Sequence, residues 1–156
     1  MRDVELGLML DPVFWDKLPE VRIEFNKNIL FNGTLNKTKQ FLWTLPAENV
    51  NRISVFFLNK KDSDTVDKLD KAVIITELSI EGLKYDSFLH LSKYKPMYSQ
   101  GYYDYAKTHN IEVTPVIHSN YMGFNGEWFL EFTWPVFTWI YETETNKLGW
   151  IYEKNI

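Results

Sequence analysis

Several segments of the chain alternate apolar and polar residues with a period of two, and this alternation restricts the fold more than any other feature. One of them is Val-Arg-Ile-Glu-Phe at residues 21–25. A period of two places successive side chains on opposite faces of a β-strand. Short strands separated by turn residues, without a convincing amphipathic helix between them, predict an all-β fold, an antiparallel β-sandwich of the jelly-roll kind. The further strands are expected at residues 29–31, 40–45, 51–59 and 72–80.

The C-terminal part of the chain continues the pattern with many aromatic residues. Four of the six tryptophans lie beyond residue 123, in a chain that is 17% aromatic. Alternate residues from Trp128 to Trp134 would share one face of a strand, and Pro135 then favours an edge or a bulge. We expect two more strands, over residues 137–141 and 148–152. Large side chains that alternate in this way favour a core, although exposed Trp or Tyr rings can instead stack on a sugar.

Two segments depart from the alternation. Residues 1–20 contain two prolines and predict an N-terminal arm, followed by one sandwich domain over residues 21–156. Within that domain, residues 84–120 predict a long irregular insertion rich in tyrosine, with a short helix at 102–109 and a short strand at 111–113. A connection of this length is usually functional or contains further structure. Because aromatic side chains are enriched in protein contacts, the candidate partner-binding residues are Phe14, Trp15, Tyr94, Tyr98, Tyr102, Tyr103 and Tyr105.

Composition and charge exclude several classes of function. The net charge is −4 and no run of Lys or Arg exceeds two residues, so nucleic acid is not an expected partner. No apolar run approaches the roughly 20 residues that span a bilayer, so we expect no membrane contact either. The chain lacks cysteine, and its three histidines lack the spacing of a metal site. Glu127 and Glu131 would share a strand face, but outward-facing side chains explain them better than a glycosidase pair. The chain is predicted not to be an enzyme.

An acidic loop between two predicted strands offers oxygen ligands for a cation. The candidate ligands are Asn59, Asp62, Asp64, Asp67 and Asp70. Ca²⁺ takes six to eight oxygen ligands, so calcium is one interpretation of this loop. The other is a solvated turn whose aspartates cap their own backbone amides, with no cofactor bound.

The order of these segments resembles a known family of modules. Ile-Ser-Val-Phe-Phe-Leu-Asn-Lys at residues 53–60, the acidic loop, and the strand of residues 70–82 are similar to the calcium-dependent xylan-binding carbohydrate modules. The resemblance covers roughly residues 21–82 and implies a carbohydrate-module-like sandwich. Asn59 and Asp70 match the calcium ligands of that family, whereas Lys60 stands where the family has an aspartate.

A second resemblance extends over more of the chain. The resemblance is to uncharacterised proteins encoded by tailed bacteriophages, and it rests on Asn59-Lys60 with Asp64-Thr65, Tyr98, residues 123–128, residues 132–140 and residues 148–150. This resemblance implies a virion component, made in the host cytoplasm.

These observations lead to two hypotheses about function. The first is a non-enzymatic structural protein of a phage particle, a capsid decoration or tail-associated protein in a homo- or hetero-oligomeric assembly with other virion proteins. The alternative is a carbohydrate-binding module that attaches to host glycans, with or without calcium.

Overall fold

The computed structural model describes residues 2–84 and 86–155, with side chains described as far as residue 145. Within these residues the chain forms ten strands, three α-helices and one 3₁₀ turn. In chain order they are β1 (Asp3–Val13), β2 (Glu20–Phe25), β3 (Asn28–Thr34), β4 (Lys39–Pro46), β5 (Val50–Phe57), the 3₁₀ turn (Asp62–Asp64), β6 (Ala72–Ile80), β7 (Leu83–Lys84), α1 (Asp86–Leu91), β8 (Lys93–Pro96), α2 (Gln100–Thr108), β9 (Tyr121–Met122), β10 (Gly126–Thr133) and α3 (Val136–Asn155).

The strands form two five-stranded sheets whose pairings are all antiparallel. One sheet has the order β4–β1–β6–β7, with β9 also paired to β6, and the other has the order β3–β2–β5–β10–β8. Apolar side chains from both sheets join in one buried cluster. The predicted antiparallel β-sandwich is therefore confirmed.

The aromatic strand β10 lies inside the second sheet, between β5 and β8. Trp128, Leu130 and Phe132 are all 1% exposed or less, which confirms the predicted inner face. Phe129 points to the other face and is covered there by Arg52, whose guanidinium carbon lies 3.6 Å from the ring centroid. The alternating aromatic residues of this strand therefore belong to the core and do not form an exposed surface for stacking on a sugar.

The hairpin predicted from residue 21 onward is confirmed as β2 and β3. Asn26 and Lys27 form its turn with φ values of 49° and 71°. Two consecutive residues with positive φ are typical of a type I′ turn, whose twist matches that of the paired strands.

The arm predicted for residues 1–20 is wrong over most of its length. Residues 3–13 form β1, which is paired on one side with β4 and on the other with β6. Its alternate residues Val4, Leu6, Leu8 and Leu10 are buried, which explains why it forms an interior strand and not an arm. Pro12 is accommodated near the end of the strand, where it disturbs little of the pairing.

The segment predicted as an irregular insertion contains more regular structure than expected. α1, β8 and α2 all lie between residues 84 and 120, and α2 confirms the predicted helix near residues 102–109. The strand expected at residues 111–113 is wrong, because that stretch has no regular structure. The most consequential element is β8, which pairs with β10 and fixes the start of the tyrosine-rich segment against the sandwich.

The strands predicted beyond Pro135 are also wrong, because residues 136–155 form the helix α3. Val136 is buried, and Trp139 and Ile140 pack against the core. Their spacing of three and four residues places them on one helical face, a period that the run of aromatic residues concealed. Among the described residues, no helix is sufficiently long and apolar to cross a membrane.

Candidate functional site

A cleft of about 1010 Å³ opens where three connecting segments meet at one end of the sandwich. Most of its lining comes from residues 60–70 between β5 and β6, residues 96–105 around the start of α2, and residues 121–125 before β10, and Tyr94 and Ile117 complete it. The hydrogen-bonded sheets beneath hold the ends of all three segments in place. The cleft therefore combines side chains that are distant in sequence.

Aromatic rings form one part of this lining, which we call the tyrosine cluster (Tyr98, Tyr102 and Phe124). The rings of Tyr98 and Tyr102 are stacked, with centroids 5.1 Å apart and an interplanar angle of 17°. Phe124 meets both rings edge-on, at 5.0 and 4.9 Å. Offset stacking and edge-to-face contact are the arrangements that aromatic pairs prefer.

Hydrogen bonds fix the orientation of the tyrosine cluster. The Tyr98 hydroxyl donates to the carbonyl oxygen of Thr114 at 2.8 Å. Ser99 caps α2 by accepting from the backbone N–H of Tyr102 at 3.1 Å. Burial, together with the neighbouring tyrosines, raises the pKa of the Tyr98 hydroxyl, so that this group stays neutral at ordinary pH. The rings are thus positioned before any ligand arrives.

The structure separates the tyrosines that were predicted to bind a partner. Tyr98, Tyr102 and Tyr105 line the cleft, and Tyr103 lies beside it with 46% of its surface exposed. Tyr94 also borders the cleft but is only 1% exposed, so it packs mainly in the core, and its role in binding a partner stays a prediction. The pairing of β8 with β10 places Tyr94 beside buried Trp128, and its hydroxyl donates to the carbonyl oxygen of Phe124.

Phe14 and Trp15 follow β1, and Trp15 contacts the acidic loop. They are 42% and 43% exposed. The indole N–H of Trp15 donates to the backbone oxygen of Asp64 at 2.8 Å. Trp15 therefore braces the loop, and a role for Phe14 and Trp15 in binding a partner stays a prediction.

The second part of the cleft lining is the acidic loop, which we call the lysine–aspartate loop (residues 59–71). Within it the Lys60 ammonium lies 2.5 Å from Asp70 Oδ1 and donates to the carbonyl oxygen of Lys71 at 2.7 Å. The Lys60 side chain is only 8% exposed. A buried ammonium of this kind needs both the opposite charge and the hydrogen bonds.

Asp70 is the centre of a wider set of hydrogen bonds. It also accepts from the Thr65 hydroxyl at 2.6 Å and from the Tyr121 hydroxyl at 2.5 Å. Burial of the carboxyl opposes ionisation, but the hydrogen bonds from Lys60, Thr65 and Tyr121 outweigh it, and the pKa of Asp70 is lowered. Burial and the negative charge of Asp70 raise the pKa of the Tyr121 hydroxyl. Tyr121 therefore donates to an ionised carboxylate.

A second ion pair lies deeper in the same loop. The ammonium of Lys71 is 3.0 Å from Asp64 Oδ2, and the two side chains are 3% and 12% exposed. The backbone N–H of Lys61 donates to the same carboxylate at 2.7 Å. Burial opposes ionisation of Asp64, yet these hydrogen bonds and the charges of Lys71 and Lys60 lower its pKa overall.

The structure does not bring the five predicted calcium ligands together. The side chain of Asn59 accepts from the Glu20 backbone N–H and donates to the Leu18 carbonyl, at 2.8 and 3.0 Å. Asp67 is exposed in a turn with a φ of 57°. Within the part of the chain that the structure describes, no three His, Asp or Glu side chains are grouped so that they could hold one metal ion. Since calcium takes six to eight oxygens, these residues do not fit a calcium ion as they stand.

Two residues that connect the segments of the cleft, Asn125 and Tyr121, were not among the predicted site residues. Asn125 exchanges hydrogen bonds with the backbone of Lys60, at 2.6 and 3.1 Å, and so joins the lysine–aspartate loop to the segment before β10. Tyr121 reaches Asp70 across 51 positions. No local pattern could reveal contacts between such distant positions. The one hint in the sequence that this loop is built differently was Lys60, which stands where the resembling modules have an aspartate.

The glutamates considered for catalysis lie outside this cleft. Glu127 and Glu131 project from β10 and are both bound by Arg52, at 2.8 and 2.9 Å. The two carboxylates therefore share one partner, the Arg52 guanidinium. Their arrangement is that of a charged network on the outer sheet face.

The fold is similar to that of solved carbohydrate-binding modules. The chain is similar to the selenomethionine form of vCBM60, with a TM-score of 0.51 and 13% identity over 81% of this chain and 88% of that one. That structure comes from work on circular permutation as an evolutionary link between two families of calcium-dependent carbohydrate-binding modules. The two chains share a fold. The complex of vCBM60 with galactobiose gives a TM-score of 0.49 and 13% identity, over 83% of this chain and 97% of that one. The chain matches no protein-family profile and no curated protein sequence.

Proposed function

We propose that this chain is a carbohydrate-binding module that holds a glycan in the cleft between the lysine–aspartate loop and the tyrosine cluster. The observation that carries the proposal is the presence of fixed aromatic rings and a hydrogen-bonded polar group in one cleft. A sugar ring has apolar C–H faces and a rim of hydroxyls. Aromatic faces suit the first, and fixed donors and acceptors suit the second.

The size of the cleft supports an oligosaccharide as the ligand. Its volume of about 1010 Å³ lies at the upper end of the range for small-molecule pockets. Because the rings and the polar groups are already positioned, little conformational entropy is lost on binding. This preorganisation offsets the weak interaction that each hydroxyl makes in competition with water.

The charges of the cleft favour a neutral glycan. Its lining contains two cationic side chains, Lys60 and Lys61, and two anionic ones, Asp62 and Asp70. A cleft with this balance has no net attraction for sulfated or uronic acid-rich chains. The similarity of fold to a carbohydrate-binding module agrees with the proposal, although the cleft residues carry the argument.

The test is titration calorimetry with a panel of neutral oligosaccharides that includes xylo-oligosaccharides and galactobiose. We expect one member to bind, and Tyr98→Ala and Tyr102→Ala to weaken binding at least about tenfold, the effect of losing roughly 1.4 kcal/mol. Tyr141→Ala is the matched control, because Tyr141 is 70% exposed on α3 and lies outside the cleft. Each variant is checked for an unchanged far-UV spectrum and cooperative unfolding.

Two results would contradict this proposal. One is the absence of binding to every glycan of a broad array. The other is binding that Tyr141→Ala weakens as much as Tyr98→Ala does. The role in a phage particle, with virion proteins as partners, stays a prediction, since nothing in the described fold tests it.

A further inference from the structure

The lysine–aspartate loop contains its own counter-charges. It buries two carboxylates, and each of them has an ammonium group as its partner: Lys60 for Asp70 and Lys71 for Asp64. The loop is therefore electrically balanced without an added ion. A divalent cation entering this loop would meet two fixed positive charges in a partly desolvated site, where repulsion is stronger than in water.

The surroundings of the Lys60 ammonium are those of a bound cation. It lies against a carboxylate oxygen of Asp70 and the backbone carbonyl oxygen of Lys71. Carboxylate and carbonyl oxygens are also the ligand types that proteins offer to calcium. Asp70 is at the same time bonded to Tyr121, which lines the cleft. The ammonium thus holds together groups that an ion would otherwise have to organise.

An ammonium has three N–H donors, and two of those of Lys60 are directed to Asp70 and to the Lys71 carbonyl. The third has no hydrogen-bond partner among the described residues. Lys60 also lines the cleft. A sugar hydroxyl that reaches Lys60 can accept from this third donor, while the neighbouring Tyr121 hydroxyl oxygen can accept from another hydroxyl.

We propose that the Lys60 ammonium takes the place of a metal cation in this module, so that the loop folds and the glycan binds without calcium. The part concerning the glycan rests on the proposed function. The part concerning the loop does not, because it can be measured on the free protein.

The first experiment tests the loop alone. Thermal unfolding of the full chain is followed in about 10 mM CaCl₂, in EDTA, and in MgCl₂ of equal ionic strength. A calcium site with a Kd of about 1 mM, the weakest class in proteins, would raise Tm by roughly 3 to 6 °C at that concentration. We expect Tm to agree within about 1 °C in all three buffers, which is small against that shift. A rise specific to calcium of about 3 °C or more would overturn the proposal.

The second experiment tests Lys60 in glycan binding, with the oligosaccharide that binds the wild-type chain. Lys60→Met keeps an unbranched side chain and removes the charge, and Lys68→Met is the matched control because Lys68 is an exposed lysine of the same loop that does not line the cleft. We expect binding to Lys60→Met to weaken at least about tenfold, and binding to Lys68→Met to change less than about threefold. If Lys60→Met does not fold, Lys60→Gln replaces it.

The two proposals fail in different ways. A wild-type chain that binds no glycan would refute the proposed function, while its Tm in calcium and EDTA would still decide the question about the loop. Glycan binding that EDTA abolishes and calcium restores would support the proposed function and overturn the role of Lys60. Equal affinities for Lys60→Met and the wild type would also overturn it.

Discussion

Replacing Lys71 by methionine tests how strongly the buried ion pair stabilises the lysine–aspartate loop. Lys71→Met keeps the aliphatic stem but leaves the Asp64 carboxylate with the Lys61 N–H as its remaining partner. Removing one member of a buried pair typically costs about 3 to 5 kcal/mol. Because Asp64 is 12% exposed and keeps one hydrogen bond, we expect the lower end, about 3 kcal/mol, and a fall in Tm of roughly 6 to 12 °C.

Urea denaturation near neutral pH measures this loss, provided that the m-value is unchanged. The double variant Lys71→Met/Asp64→Asn completes a double-mutant cycle. It should be more stable than the sum of the single variants predicts, by about 2 kcal/mol, because it leaves no buried charge unpaired. Lys84→Met is the control: its pair with Glu77 spans 2.8 Å but the lysine is 66% exposed, so we expect a change within about 0.5 kcal/mol.

The dependence on pH gives a second measurement of the same pair. Asp64 has a lower pKa in the folded chain than its ordinary value of 3.8, so its contribution is fully present above about pH 4 and is lost as the pH falls through the folded pKa. Lys71→Met removes the main cause of the lowering. The stability difference between the wild type and Lys71→Met should therefore shrink from about pH 7 to about pH 3. A loss below about 1 kcal/mol near neutral pH, or a difference that does not change in acid, would refute the reasoning.

Two further substitutions test the aromatic strand and its start. Gly126→Ala should cost at least about 2 kcal/mol in urea denaturation, because Gly126 has a φ of 144° and a Cβ there would lie 2.2 Å from the carbonyl oxygen of Lys95; a loss below about 0.5 kcal/mol would contradict this. Trp128→Phe should cost about 2 kcal/mol, because the buried indole N–H donates to the Ser92 hydroxyl at 2.9 Å and the smaller ring leaves a cavity; an unchanged Tm would contradict this.

Some elements of the fold could be predicted from the sequence and others could not. β6 was predicted at its observed bounds because a run rich in β-branched and apolar residues ends there at Glu81-Gly82. β10 was predicted with the correct inner face because Trp128, Leu130 and Phe132 occupy alternate positions. α3 was mistaken for two strands, because Val136, Trp139 and Ile140 carry its helical period within a run of other aromatic residues. β1 was mistaken for an arm on account of its proline, although the alternation of Val4, Leu6, Leu8 and Leu10 was present.

The candidate site was foreseen only in its separate parts. The acidic loop and the tyrosine-rich segment were both identified as binding regions, and Tyr98 and Tyr102 do line the cleft. Their meeting in one cleft could not be predicted, because it depends on β8 pairing with β10 and on Asn125 reaching Lys60.

The sequence by itself determined the class of the fold, since a period of two that recurs along a chain can bury its apolar residues only between sheets. It also determined which residue types were available for a site. The tertiary structure decided what those residues do. It buried Tyr94 in the core and paired Asp64 and Asp70 with lysines instead of directing them at one ion. The physical reason is that hydrogen bonds and ion pairs act over about 3 Å, and only the folded chain brings residues 60, 70, 121 and 125 within that distance.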